Sequence, residues 1–126
     1  MIVLDASVMI AHLLKGDPHA TAALEILDTE EELVMHPLTI AESLVGPAKQ
    51  KLVDVADRAI DTLGVERLRP LEDESKRIAL LRAETSVKLP DCCVLATAEQ
   101  LGATLATFDR RLADIARSRG VEVVGA

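Results

Sequence analysis

The chain has 126 residues, 49% of them hydrophobic, and a formal net charge of −7. That length suits one domain, residues 1–126, able to bury roughly two-thirds of its unfolded surface. Apolar runs are too short and too interrupted for a signal peptide or a membrane span, so a cytosolic protein is expected. A single Phe with no Tyr or Trp excludes base stacking on aromatic platforms, and the acidic balance mildly opposes a nucleic-acid substrate.

Ile2-Val3-Leu4 reads as a buried strand, followed by a helix from about Ala6 to Lys15 that Gly16 ends. Asp17-Pro18 has the form of an N-cap with Pro at the first helical position. The helix it opens places Ala22, Leu24, Ile26 and Leu27 near one face. Leu33-Val34-Met35 is a second strand. Thr39-Ile40-Ala41-Glu42 has the form of a capping box, so a helix is expected to start at Thr39 and to break at Gly46-Pro47. A longer helix follows from about Lys49 to Leu63, with apolar residues at helical spacing. Val65 to Leu68 is a third strand, nearer an edge. Glu72 to Val87 and Pro90 to Gly102 are helical, the first with Ile78, Leu80 and Leu81 inward. Thr104 to Ala106 is a fourth strand, Arg110 to Arg117 a helix and Val121 to Val124 a last strand.

Strands alternating with helices imply an α/β fold with a mostly parallel sheet covered on both faces. In such sheets ligands bind beyond the carboxyl ends of the strands. Asp5 directly follows the first strand and Asp109 closely follows the fourth. Glu42 opens a helix soon after the second strand, so it is expected to join them. Asp91 stands in the first turn of the helix opened by Pro90, with no strand before it to place it.

Each acid also has a structural explanation. Asp109 could cap the helix that follows, Glu42 could complete its capping box, and Asp91 could be a first-turn acid favoured by the helix dipole. Asp5 could cap the first helix, a role for which Ser7 competes. Together, four carboxylates at one edge would repel one another and raise their own pKa values, which a divalent cation would relieve. An all-oxygen ligand set points to Mg²⁺ or Mn²⁺ and away from zinc. Such a site supports phosphodiester hydrolysis without a side-chain nucleophile. Neutralising the four acids would still leave three net negative charges.

Asp5-Ala-Ser7 after the first strand, Glu42 early in a helix, Asp91-Cys-Cys-Val-Leu-Ala-Thr97-Ala, and Thr107-Phe-Asp109 together resemble a PIN-domain ribonuclease. More narrowly, they resemble the VapC toxins of bacterial toxin–antitoxin pairs. The likeness spans almost the whole chain, and the ordered set is more specific than any one motif. It implies a three-layer α/β/α sandwich, Mg²⁺- or Mn²⁺-dependent endoribonuclease activity with one or two ions, a homodimer, and a cognate VapB-type antitoxin. Carried over by position, Asp5, Glu42, Asp91 and Asp109 are the acidic residues. Thr107 is a hydroxyl beside the last acid and Ser7 a small hydroxyl beside the first; for Ser7 a helix cap remains open.

The adjacent Cys92 and Cys93 lack the partners for a zinc site and read as small core residues. His12, His19 and His36 form no metal-binding pattern. Arg110 and Arg111 could meet phosphates or simply face solvent, and Lys15, Lys49, Lys51 and Lys88 are further candidate contacts. Glu30-Glu31-Glu32 reads as a solvated loop. Two rival functions remain open. A haloacid-dehalogenase-type phosphohydrolase would want a second Asp where Ser7 stands. A non-catalytic RNA- or partner-binding module would not need the acids intact.

Overall fold

The computed structural model describes all 126 residues, Met1–Ala126. In chain order the elements are β1 (Ile2–Leu4), α1 (Ala6–Leu13), α2 (Ala20–Leu27), β2 (Leu33–Met35), α3 (Pro37–Lys49) and α4 (Val53–Thr62). Then come β3 (Glu66–Arg67), α5 (Glu74–Glu84), α6 (Leu89–Leu101), β4 (Thr104–Ala106), α7 (Arg110–Ser118) and β5 (Val123–Val124).

The strands form one sheet in the order β3-β2-β1-β4-β5, and every neighbouring pair is parallel. Alternation along the strands splits the core in two. Ile2, Leu4, Leu33, Met35 and Ala106 pack with Val8, Met9, Ala23, Leu27, Ile40 and Ile60 on the α1–α4 side. Val3, Val34 and Leu105 pack with Leu81, Leu95, Leu112 and Ala116 on the α5–α7 side. The result is a three-layer α/β/α sandwich, and it explains why β1 and β2 are apolar without interruption: both faces are covered. Full burial of each such side chain contributes about 1.5–3 kcal/mol.

From β1 the chain moves outward through β2 to β3, then crosses back to lay β4 and β5 on the other side of β1. Connections therefore leave β1 and β4 in opposite directions, which makes the carboxyl ends of these two strands the switch point of the sheet, the place where ligands bind in folds of this class.

Several local expectations change. The helix expected from Thr39 starts at Pro37 instead, capped by His36, whose Nδ1 accepts the Leu38 N–H at 3.0 Å. Pro at the first helical position suits this start. Thr39 is thus an interior residue, its hydroxyl buried and without a hydrogen-bond partner. Gly46-Pro47 does not break α3. Pro47 lies in the last turn, where its missing N–H removes one bond near the end of the ladder. The interruption falls after it, where Lys51 takes a left-handed φ of 59° before α4 begins at Val53. Asp17 caps a turn, accepting from His19 N–H at 2.8 Å, and α2 begins only at Ala20. Ala23 and Leu27 are its buried residues, whereas Leu24 is exposed. In α5 Leu81 is buried and Leu80 exposed. No helix is long and apolar enough to cross a membrane.

Candidate metal centre

Asp5 leaves the carboxyl end of β1 and occupies the N-cap position of α1, yet its side chain makes no cap hydrogen bond. Its buried carboxylate turns to β4 instead. Oδ2 accepts from the Ser7 hydroxyl at 2.7 Å and the Thr107 hydroxyl at 2.8 Å. Both hydroxyls in turn accept backbone N–H groups, Ser7 from Phe108 and Thr107 from Asp109, each at 3.0 Å. The capping alternative for Ser7 is therefore replaced by a tie between α1 and the β4–α7 loop. The arrangement fixes one oxygen of Asp5 and leaves Oδ1 without a hydrogen bond.

Asp109 ends that loop as the true N-cap of α7. Its Oδ1 accepts from Arg111 N–H at 2.9 Å and Leu112 N–H at 3.1 Å. The structural explanation for this residue thus holds, and it occupies only one of the two oxygens. For Glu42 it does not hold: with His36 as the cap, Glu42 sits in the second turn of α3 and has no box to complete.

Glu42 and Asp91 both have carboxyl pKa values raised above the ordinary range. For Glu42 the causes are burial first, then repulsion by Asp5 and Asp91. For Asp91 they are burial, then repulsion by Asp5 and Asp109, only partly offset by Lys88 and Arg111. Asp91 thus feels the charges of Asp5 and Asp109, and Glu42 those of Asp5 and Asp91, so Asp5 and Asp91 link the four acids at the carboxyl end of β1 and β4, although no three of them bring ligand atoms within 4.8 Å of one another. Asp91 reaches this edge because α6 precedes β4 through the short Gly102-Ala103 link. The helix must run antiparallel to β4, and its first turn returns to the carboxyl end of the sheet. That link was the sequence signal available for Asp91.

One grouping escaped sequence reasoning. His36 follows β2 and caps α3, Glu74 begins α5 and Cys93 lies on α6, and one potential ligand atom from each lies within 4.8 Å of the others. His36 was expected to take no part in a metal-binding pattern, and Cys93 to be only a core residue. Three separate segments build this cluster, so no local motif announces it. Cys92 and Cys93 are both buried free thiols, as expected of core cysteines. Burial, with the charges of Glu74 and Glu42, pushes the Cys93 thiol up to about 12.

The lone Phe108 stacks on His19, ring centroids 4.7 Å apart. His12 is partly buried on α1. Arg110, Arg111, Lys88, Lys15, Lys49 and Lys51 are exposed, as is the Glu30–Glu32 run. Of the basic side chains, Lys88 and Arg111 stand near Asp91, and Arg111 also donates to the Ser86 carbonyl at 3.3 Å.

A family model described as PIN domain matches residues 2–118. Among solved structures, a toxin–antitoxin complex from Klebsiella pneumoniae is 26% identical with a TM-score of 0.74, covering 90% of each chain. The sarcin–ricin-loop-cleaving toxin VapC20 of Mycobacterium tuberculosis has a TM-score of 0.76 at 13% identity, over 91% of this chain and 95% of that one. FitAcB from Neisseria gonorrhoeae has 0.71 at 23% identity, over 98% and 96%. Compared with the curated proteins, the chain has no significant match.

Proposed function

The chain belongs to the PIN-domain family, and on that premise we propose that it is a metal-dependent endoribonuclease, the toxin of a type II toxin–antitoxin pair. Asp5, Glu42, Asp91 and Asp109 are the proposed metal ligands and catalytic acids, with Ser7 and Thr107 as positioning residues. The observation that carries this reading is the raised pKa of Glu42 and Asp91, each repelled by Asp5 and, for Asp91, also by Asp109, at the carboxyl end of β1 and β4.

The donor set fits a hard cation. All four ligands are oxygens, the Asp5 network leaves one of its oxygens available, and the mutual repulsion of the acids is what a divalent ion removes. Mg²⁺ is the expected ion, with Mn²⁺ able to substitute, as one or two per site. When bound, it supplies Lewis acidity that polarises the phosphodiester and stabilises charge on the leaving oxygen. The chain's own contribution is orientation. Ser7 and Thr107 hold Asp5, the α7 cap holds Asp109, and Lys88 and Arg111, whose charges act on Asp91, are the cations that would meet an RNA phosphate at the site.

The Klebsiella relative was solved as a toxin–antitoxin complex, which supports a VapB-type antitoxin as partner here. Exposed apolar side chains supply surface for such a partner and for a homodimer: Ile10 on α1, Leu14 just after it and Leu24 on α2, with Val45, Val53 and Val55 on α3 and α4.

The deciding experiment is cleavage of structured and single-stranded RNA with Mg²⁺, Mn²⁺ or EDTA, beside Asp5→Asn and Asp91→Asn. Metal-dependent cleavage lost in both variants is expected. Cleavage that survives EDTA and both substitutions would overturn the metal mechanism. Normal metal binding without cleavage would favour a non-catalytic binding module.

A further inference from the structure

We propose that His36, Glu74 and Cys93 form a second, softer metal site that takes Zn²⁺, separate from the oxygen-only acid cluster. The three potential ligand atoms already lie within 4.8 Å of one another. Zinc bonds of about 2.0–2.3 Å to N, O and S put tetrahedral ligands about 3.5 Å apart. The cluster therefore needs only small side-chain movements to close on an ion.

The Cys93 thiol supports a ligand role. Cys93 is 2% exposed, and its sulfur makes no hydrogen bond, whereas neighbouring Cys92 donates to the Val87 carbonyl at 3.4 Å. An unpartnered sulfur thus sits beside a His nitrogen and a carboxylate. The side chains of His36 and Glu74 are 12% and 18% exposed, which leaves a path from solvent.

The imidazole is already aimed. His36 Nδ1 accepts from Leu38 N–H, so Nε2 carries the proton and donates to Glu74 Oε1 at 2.5 Å. An ion would replace that proton as the link between the two side chains. The Cys93 thiol proton leaves to solvent, and the imidazole proton shifts from Nε2 to Nδ1, giving up the bond from Leu38. Three protein ligands of N, O and S type leave a fourth position open, an arrangement suited to zinc and poorly suited to Mg²⁺. The site requires none of the four acids, although Glu42 lies close enough for its charge to act on Cys93. Zinc bound here would place positive charge next to the acid cluster.

The test is titration of the metal-free, reduced protein with Co²⁺, reading thiolate-to-cobalt charge-transfer absorption in the near ultraviolet. Zn²⁺ competition then gives affinity and stoichiometry in the presence of excess Mg²⁺. One equivalent with the charge-transfer band is expected. Cys93→Ala should abolish the band. His36→Asn should lower Zn²⁺ affinity by more than about 100-fold, beyond the range typical of an outer-shell partner. Asn remains a good helix cap, so this second variant separates loss of the ligand from loss of α3, with circular dichroism as the check. Asp5→Asn and Asp91→Asn should keep the band. A wild-type protein without the band would overturn the proposal, as would a band that persists in Cys93→Ala or affinity unchanged in His36→Asn.

Discussion

At the scale of residues, the Thr107 hydroxyl and the four carboxylates do most to define the candidate site. Thr107 donates to Asp5 and accepts from Asp109 N–H, so it ties the first acid to the last. Thr107→Val keeps the shape but strands a backbone N–H and removes a donor. The expected loss is about 1–3 kcal/mol of stability, measured by denaturant unfolding, with Mn²⁺ affinity falling alongside. Thr107→Ser should recover both. Glu42 and Asp91 make the opposite prediction. Their folded-state pKa values are raised, so the folded protein binds protons more readily than the unfolded chain. Stability from this source is complete below the ordinary carboxylate values and is lost as pH rises through the raised ones. At pH 7 without metal, Asp91→Asn or Glu42→Gln should therefore raise the melting temperature, while removing the response to Mn²⁺. A lower melting temperature at pH 7 would mean that the carboxylates are stabilised by partners rather than strained by one another.

At the scale of elements, the β4–α7 loop is held from three directions. Ser7 on α1 binds Phe108 N–H, Asp5 after β1 binds Thr107, and the chain after β5 closes over the back. Gly125 makes that closure possible. Its φ is +102°, and a Cβ there would lie 2.5 Å from the Thr107 carbonyl oxygen and 3.3 Å from the Phe108 ring. Gly125→Ala should cost about 1–3 kcal/mol through the disallowed φ alone. It should also displace the loop that carries Thr107 and Asp109, weakening metal-dependent stabilisation more than a remote substitution of equal stability cost. Helix starts follow a related logic. The Thr39–Glu42 pattern fits a capping box, yet His36 with Pro37 outcompetes it by starting the helix one turn earlier. That shift frees Glu42 from a local duty. The pattern located the helix but not its first residue, because two adequate caps lie within one turn and spacing alone does not choose between them.

At the scale of the whole molecule, an acidic chain proposed to cut RNA must bind it with few cations. Lys88 and Arg111 are the basic groups that act on Asp91, so salt should weaken RNA binding only modestly. Each phosphate that the protein neutralises contributes a slope of about −0.7 in log K against log salt for a single strand. A slope steeper than about −3 would show a larger basic surface at work. Metal should act on the fold as a whole by mass action. At 100 times its Kd, Mg²⁺ or Mn²⁺ that binds only the folded state adds about 2.7 kcal/mol, enough to raise the melting temperature by several degrees in a domain of this size. No shift at millimolar metal would count against the acid site.

The layer architecture, the order of strands and helices, and the positions of Asp5 and Asp109 were legible in the sequence alone. These follow from periodicity and from the rule that residues just after parallel strands collect at one edge, both local properties of the chain. Asp91 was legible as a first-turn acid without a reason to converge; the direction of α6 supplied the reason. What each acid does with its oxygens emerged only in the folded chain. Asp5 abandons its cap for Thr107, a residue 102 positions away, while Asp109 keeps its own. Folding, likewise, is what brings His36, Glu74 and Cys93 together from three segments. A side chain's partner is set by packing between distant segments, and sequence spacing constrains that only where both partners lie on the same element.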